Sequence, residues 1–400
     1  MRWTREDEMA ERDKMESGRT CRMKNIDPGN GGVWFRWNRK NINSIASLIH
    51  LRPARPTDSP RPGIMLYSFS SLQADEVYRE IEMANVDAVY IAGGPHPSAR
   101  PKEALEHFDY VVVGEGELAL PKLLDALIQG QDPTGISGVA CMRGGEMVHN
   151  PPGETVDLDL FPPFKPPFIA PVEISRGCPW GCAYCQTPRL FGSSMRHRST
   201  ETIARFARFL KDVRLTTPNA LAYGSDGRVP RLDKVEALLR SLADLGRPIY
   251  FGTFPSEVRP DFVSSKALEL ITRFCANNTL SIGGQSGSPR VLREIGRGHG
   301  VEAVADACDL SIDFGLVPQV DLILGLPMEG PDDQMATLEL ARWIVGRGGR
   351  VRAHHFSPLP GTPLEWSAPA LIEKEVSSSL GQLALEGKLE GTWQPTGGTV

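Results

Sequence analysis

Three cysteines stand within eight residues, Cys178, Cys182 and Cys185, in the run Arg176-Gly-Cys-Pro-Trp-Gly-Cys-Ala-Tyr184-Cys185. Thiolates are soft ligands for iron and zinc. An iron–sulfur cubane is ordinarily held by four of them, so a loop that offers three leaves one iron open to a ligand from outside the chain. The competing structure is a zinc knuckle, which pairs Cys-x2-Cys with a second pair of Cys or His at a suitable distance. Here His197 is the only imidazole nearby, and Cys275 lies far downstream. The spacing predicts an open-sited metal cluster.

Four further stretches carry side chains suited to a polar ligand. Tyr223-Gly224-Ser225-Asp226-Gly227 offers carbonyls and one carboxylate, and reads equally as a polar turn. Ser256, Glu257 and Arg259 combine a hydroxyl and a carboxylate, which suit a ribose, with a guanidinium that grips a carboxylate in two places. Gly283-Gly-Gln285-Ser286-Gly287-Ser288 is a glycine-rich turn into a helix, yet its glycines do not account for the polar pair Gln285 and Ser286. Asp321 to Gly325-Leu-Pro327 offers backbone groups without a charged tip. His354-His355 follow, of which strand alternation turns one inward; a satisfied core histidine is the plain alternative.

The cysteine spacing, with Tyr184 before its third thiol, resembles the radical S-adenosylmethionine (SAM) superfamily, and the four later stretches resemble its SAM-binding motifs. The resemblance implies a [4Fe–4S] cluster on Cys178, Cys182 and Cys185. It implies SAM bound through its amino and carboxylate groups on the open iron, and reductive cleavage to a 5′-deoxyadenosyl radical. Tyr184, Gly224, Ser225, Asp226, Ser256, Glu257, Arg259, Gln285, Ser286 and Gly325 are then the expected SAM contacts. The Tyr223–Gly227 stretch departs from the Gly-Gly-Glu that many members carry there.

Elements must bring these stretches together. Six apolar runs, Val172–Ser175, Ala220–Tyr223, Ile249–Gly252, Thr279–Gly283, Gln319–Leu324 and Val351–Phe356, alternate with helical stripes such as Val235, Leu238, Leu239 and Leu242. That alternation predicts a partial (β/α)6 barrel of the TIM type, with chemistry at the carboxyl ends of its strands. Upstream, Ile64–Phe69, Asp87–Ala92 and Asp109–Val113 alternate with helices and predict a Rossmann-like parallel sheet, followed by a hairpin over 136–150. The whole is an α/β chain. Its expected divisions are an extension with the composition of a disordered segment over 1–43, a sheet domain over 44–150, and a proline-rich linker over 151–170. The barrel follows over 171–366 and a helix and tail over 367–400.

Gly93-Gly94-Pro-His96 and Val-Val-Gly114-Glu115-Gly-Glu, upstream of the cysteines, resemble the cobalamin-binding domain of cobalamin-dependent radical SAM proteins. Ser70, Gly93, Gly94, Gly114 and Glu115 are the cobalamin contacts that likeness implies. No Asp-x-His-x-x-Gly occurs to supply a lower axial ligand to cobalt, and His96, between two prolines, reads as a turn residue.

A net charge of −5 gives no basic footprint for nucleic acid. No apolar run approaches the ~20 residues of a membrane helix, and the charged start Met1–Lys24 has no signal-like apolar stretch. Seven cysteines, three of them in one motif, do not form a disulfide framework, which points to a reducing cytoplasm. The reading is a radical SAM enzyme, most simply a cobalamin-dependent methyltransferase acting on an unidentified small-molecule or other substrate, with an external electron donor such as ferredoxin or flavodoxin. Its rivals are a radical rearrangement or oxidation without cobalamin, and a non-catalytic iron–sulfur redox protein. No residue is assigned to the substrate.

Overall fold

The computed structural model describes residues 32–38 and 40–394, and the chain separates into two compact units, Met1–Ala170 and Pro171–Val400. Apart from Gly32, the charged stretch 1–32 lies outside the described residues.

In the first unit, β1 (Val33–Arg36), β2 (Arg55–Thr57), β3 (Gly63–Ser68), β4 (Ala88–Gly93) and β5 (Tyr110–Val112) are parallel, in the spatial order β2-β1-β3-β4-β5. The hairpin β6 (Val139–Arg143) and β7 (Glu146–His149) extends the sheet in antiparallel fashion. Both faces are covered, which is why β3 and β4 read as unbroken apolar runs. Ile64, Leu66, Val89 and Ile91 pack on one side with Ile45, Leu120, Leu123 and Leu124, while Met65, Tyr67, Tyr90 and Ala92 pack on the other with Val77, Tyr78 and Ile81.

The sequence allows a short strand soon after Val33 and suggests none over 52–63, yet both stretches hold one. β1 falls inside the stretch expected as extension, where Phe35 packs in the core and Arg36 pairs with Glu80. β2 falls in the proline-bearing stretch 52–63 and sits at the sheet edge, the place that tolerates its Pro56. Because the chain runs outward from β1 to β2 and back to β3, the order reverses between β1 and β3. Asn41 is buried there and donates through Nδ2 to the Arg36 carbonyl (3.0 Å) and the Ser68 carbonyl (3.2 Å), stitching the two strand ends.

In the second unit, β8 (Val172–Glu173) leads into β9 (Ser175–Arg176), which pairs antiparallel with β10 (Arg196–His197). β11 (Val213–Thr216) and β12 (Ile249–Tyr250) lie parallel beside β8. A parallel bridge from Val258 to Ile282 carries the order on to β13 (Thr279–Gln285), β14 (Val317–Leu324), β15 (Arg350–His355) and β16 (Leu389–Thr392). The result is an open, all-parallel partial barrel backed by helices such as Leu232–Ala243, Ser265–Phe274, Val301–Asp313 and Pro331–Gly346.

The second barrel strand is not the expected Ala220–Tyr223. Those residues form a 3₁₀ turn, with Tyr223 N–H donating to the Ala220 carbonyl, and Ala220, Leu221 and Ala222 are all fully buried. The strand is Val213–Thr216, whose alternation of buried Val213 and Leu215 with half-buried Arg214 and Thr216 hides it from a search for apolar runs. At the far edge, the helix expected within 367–400 is Lys374–Leu385, and part of the expected tail adds β16 beside β15. Gly391 makes that pairing work, since its φ is +107° and a Cβ there would lie 2.1 Å from the Ala353 carbonyl oxygen. Gly391→Ala should therefore destabilise the barrel edge by about 1–3 kcal/mol, read as a lower denaturation midpoint and as faster amide exchange confined to β15 and β16.

Candidate active site

The cysteine loop leaves β9 through Gly177, whose φ of +86° and close approach to the Ser194 carbonyl, 2.2 Å from where a Cβ would be, admit no side chain. Cys182 is buried, and Cys178 and Cys185 are half-buried. The loop is pinned at its ends and its middle. Cys178 N–H donates to Gly192 (3.1 Å), Ala183 N–H to Ile295 (2.9 Å) and Cys185 N–H to Cys182 (3.1 Å). Between the first two cysteines, Trp180 donates through Nε1 to the Gly227 carbonyl at 2.9 Å. Its ring lies 3.7 Å from the Arg259 guanidinium carbon and 5.5 Å from that of Arg228, two cations on one electron-rich face system. Gly298 leaves room for that ring, a Cβ there falling 2.3 Å from it.

Opposite the cysteines sits Arg297, almost completely buried. It donates to Cys182 Sγ (3.9 Å), to the Gly283 carbonyl (2.8 Å) and to His299 Nε2 (3.0 Å), and lies 4.0 Å from Glu257. Burial works against its charge, yet Tyr184, Glu257 and Cys182 outweigh that and keep the guanidinium protonated. Burial raises the Glu257 carboxyl above the ordinary range, with Arg297 pulling the other way. Burial and the neighbouring Arg297 push His299 down to about 4, so it stays neutral and accepts. Tyr184 packs against Val291, Leu292 and Ile295, and burial raises its phenol.

The structure sorts the expected SAM contacts. Glu257 and Gln285 stand beside Arg297, around the space at Gly283. Arg259 is spent on the fold: it stacks on Trp180, donates to the Arg297 carbonyl (2.8 Å) and to Asp261 (3.1 Å), and keeps only Nε without a partner. The Ser256 hydroxyl turns back to the Thr253 carbonyl. Ser286 is fully buried and faces Thr337 at 3.2 Å, and Ser288 donates to Asp333 at 2.6 Å, so both point into the helix Pro331–Gly346 rather than the mouth. Gly325 donates to Glu329 (2.7 Å) and accepts from Ala370 (3.0 Å). Burial lifts the Glu329 carboxyl to about 7, against the Gly325 and Leu326 N–H groups.

Gly224 N–H reaches His197 Nδ1 at 3.3 Å, Ser225 is buried, and the exposed Asp226 carboxylate caps its own turn through Arg228 and Val229 N–H. On the inner face of the barrel, Asp321 accepts from Arg352 (3.2 Å) and meets His354 Nε2 at 3.4 Å. His355, one residue on, turns to the other face, where its ring lies against Gly325. Trp180, Arg297 and His197 are the members that pattern reading gave no role. An aromatic inside a ligand loop and an arginine after a glycine-rich strand end were the only signals.

Among the described residues no three His, Cys, Asp or Glu side chains converge on a single-ion site. A cubane asks for something else: each thiolate takes a separate iron, and N–H groups toward sulfur are its ordinary support. The loop supplies three thiolates with the Arg297 N–H toward one of them, a donor set that fits. Residues 172–341 match the model of the Radical SAM superfamily. These residues are a radical SAM domain. The chain is 27% identical over 303 residues to an uncharacterized methyltransferase of Pyrococcus horikoshii, covering 70% of this chain and 63% of that one. It is 30% identical over 181 residues to the hopanoid C-3 methylase of Methylococcus capsulatus, covering 40% and 34%. In fold it resembles the radical SAM methyltransferase TsrM of Kitasatospora setae, solved with cobalamin and a [4Fe–4S] cluster, with a TM-score of 0.59 at 16% identity over 76% of this chain and 63% of that one. The chain spans less than two thirds of the length of the curated relatives it matches.

Outside the radical SAM domain, the first unit's carboxyl-end loops are engaged with themselves. Ser70 forms a reciprocal cap with Gln73, Gly114 N–H donates to Ser98 (2.9 Å), and Glu115 accepts from Val156 N–H (3.3 Å). Gly93 ends β4, and a Cβ on Gly94 would press on Ser68 Oγ at 2.8 Å. His96 opens a short helix instead of standing in a loop. It is buried, stacked on Phe69, and bonded to Ser71 (3.1 Å), Tyr78 (3.1 Å) and Glu103 (3.0 Å).

The cysteine environment makes a prediction for the metal-free radical SAM domain. Burial raises the Cys178 thiol, an effect the Trp180 N–H offsets and Cys185 and Cys182 reinforce. Its thiolate, the reactive form, is therefore scarcer than in free cysteine at any given pH. Alkylation of Cys178 by iodoacetamide, followed by peptide mass spectrometry, should lag that of free cysteine at pH 8 and reach it only at higher pH.

Proposed function

We propose that this chain is a radical SAM enzyme that transfers methyl groups, with a [4Fe–4S] cluster on Cys178, Cys182 and Cys185, SAM at the open iron, and cobalamin held by the first unit as methyl carrier. The observation that carries the reading is the three-thiolate loop at the barrel mouth, closed on its inner side by the buried Arg297. When bound, the cluster and SAM supply one electron and a sulfonium whose cleavage gives the 5′-deoxyadenosyl radical. Arg297 lends positive charge beside Cys182, and Glu257 and Gln285 offer an acceptor and an amide beside it. Asp321, Arg352 and His354 line the inner face where a substrate would be met. The methyltransferase names of the relatives support the class of reaction and leave the substrate open.

A second reading, radical chemistry without a corrin, is favoured by the state of His96. Both of its ring nitrogens are taken by Ser71, Tyr78 and Glu103, so it offers cobalt nothing. Cobalamin would be held here without an axial ligand from that residue. No helix among the described residues is long and apolar enough to cross a membrane. The six described cysteines are all free thiols, which suits a reducing compartment and an external donor such as ferredoxin or flavodoxin.

Anaerobic reconstitution decides between the readings. With iron, sulfide, reductant, SAM and hydroxocobalamin, the wild type should gain cluster absorbance, form 5′-deoxyadenosine and keep the corrin through desalting. Deoxyadenosine without corrin retention would leave only the second reading. Cys182→Ala should lose the cluster absorbance and all deoxyadenosine formation, and a variant that kept both would refute the ligand set.

A further inference from the structure

The first strands of the barrel have two unlike faces. Val172, Val213, Leu215 and Ile249 are buried, and the neighbouring helices meet them with Ile203, Leu238 and Leu239, buried likewise. Alternation puts Glu173, Arg214, Thr216 and Tyr250 on the opposite face, which is the open interior of the partial barrel. The register agrees, with Arg214 opposite Tyr250 and Thr216 opposite Glu173.

Much of the charge on that interior is paired within the wall. Glu173 accepts from Arg176 through both oxygens, at 2.8 and 2.7 Å. Across the barrel, Arg352 bridges Asp321 and Glu390, at 3.2 and 3.0 Å. Arg214 is different, since among the described residues no carboxylate pairs with it. Its guanidinium donates once, to the Phe254 carbonyl at 3.0 Å, and its carbon lies 4.3 Å from the centre of the Tyr250 ring. These two contacts fix the plane of the fork and leave Nε and the other terminal nitrogen without a partner. Neither atom is sealed in, as the lone Nε of Arg259 is.

A half-buried guanidinium, held against a ring with a donor edge open, has the geometry that receives carboxylate or phosphate in two places. Two neighbours describe what would lie beside that anion. The ring of Phe254 is 70% exposed although Thr253 and Ser256, close on either side, are buried. Thr216, on the face of Arg214, has a buried hydroxyl with no partner, where buried polar groups are nearly always paired. Apolar surface with a few unsatisfied polar groups is the ordinary make-up of a small-molecule site.

We propose that Arg214 anchors the substrate: it takes the carboxylate or phosphate of an anionic molecule inside the barrel, and Phe254 covers the apolar portion next to that head. The proposal rests on the radical SAM reading and names the class of substrate that reading leaves open, an anion with an apolar body. No bond is made or broken at Arg214. It acts by charge and orientation, holding the molecule in place for the chemistry at the mouth.

The test is equilibrium dialysis of the reconstituted full chain, with SAM present, against phenylacetate, phenyl phosphate and the neutral phenylacetamide. The wild type should bind one of the anions at least about tenfold tighter than the amide, the worth of a charge-assisted pair, and the tighter anion names the head group. Arg214→Gln should keep wild-type iron content and melting temperature and lose that preference, binding the anion about as weakly as the amide. Phe254→Ala should weaken anion and amide alike by about fivefold, as expected for one aromatic contact. A wild type that binds the amide as well as the anions, or none of the three, would overturn the proposal, as would Arg214→Gln with its preference intact. If Arg214→Gln does not take up iron, Phe254→Ala decides, and unchanged binding there would overturn the proposal. Assay of 5′-deoxyadenosine in the same samples separates the two ideas. Its formation without anion preference leaves the proposed function standing and overturns this site, whereas anion preference in a chain that forms none strikes the proposed function and leaves the anion site in place.

Discussion

A buried guanidinium has to be paired, or its desolvation costs several kcal/mol, and much of the second unit is arranged to pair Arg297. Its three nitrogens reach a thiol of the cysteine loop, the carbonyl at the end of β13 and a histidine two residues on, while Glu257 approaches from the loop after β12. These contacts draw three separate barrel loops onto one point. The positive charge stands beside a thiol of the cysteine loop. Trp180 and Arg259 do the complementary task on the outer side of the loop, where stacking and one indole N–H fix what the cysteines alone would leave free.

What the sequence made legible was what depends on local pattern. The cysteines declared themselves by spacing, and β3 and β4 by continuous apolar runs, because each is covered on both faces. What stayed hidden depends on partners far along the chain. β11 alternates like an exposed strand, and the run Ala220–Ala222 outshone it although its burial comes from a 3₁₀ turn. β16 contains Glu390 and Gly391, neither a strand former, and exists because Gln319 and Arg352 meet Glu390 and because Ala353 approaches a bare glycine. In the site, residue type suggested that Arg259 and Ser286 face the ligand. Only the tertiary contacts with Trp180 and Thr337 show that they serve the frame.

The first unit teaches a related lesson about glycine-rich loops. Gly94 is needed because Ser68 and Phe69 crowd it, and Gly114 because its φ is +81°, so their presence is explained by the backbone of the sheet's own loops whether or not a corrin lies above it. The more telling feature is the reversal of strand order between β1 and β3, since open α/β sheets present their ligand crevice at such a point. Asn41 spans that reversal, tying the ends of β1 and β3 through a residue that glycine patterns do not reveal.

Gln285 is the one non-glycine among the described residues with a left-handed backbone, φ 71°, at a register shift that ends β13. Such a conformation costs about 1–3 kcal/mol and persists only where the surroundings impose it. The imposition comes from behind, through Ser286 on Thr337 and Ser288 on Asp333. The helix Pro331–Gly346 is therefore a lever as well as a wall. A side chain altered on its hidden face, in contact with nothing at the mouth, would change the aim of the amide that stands there.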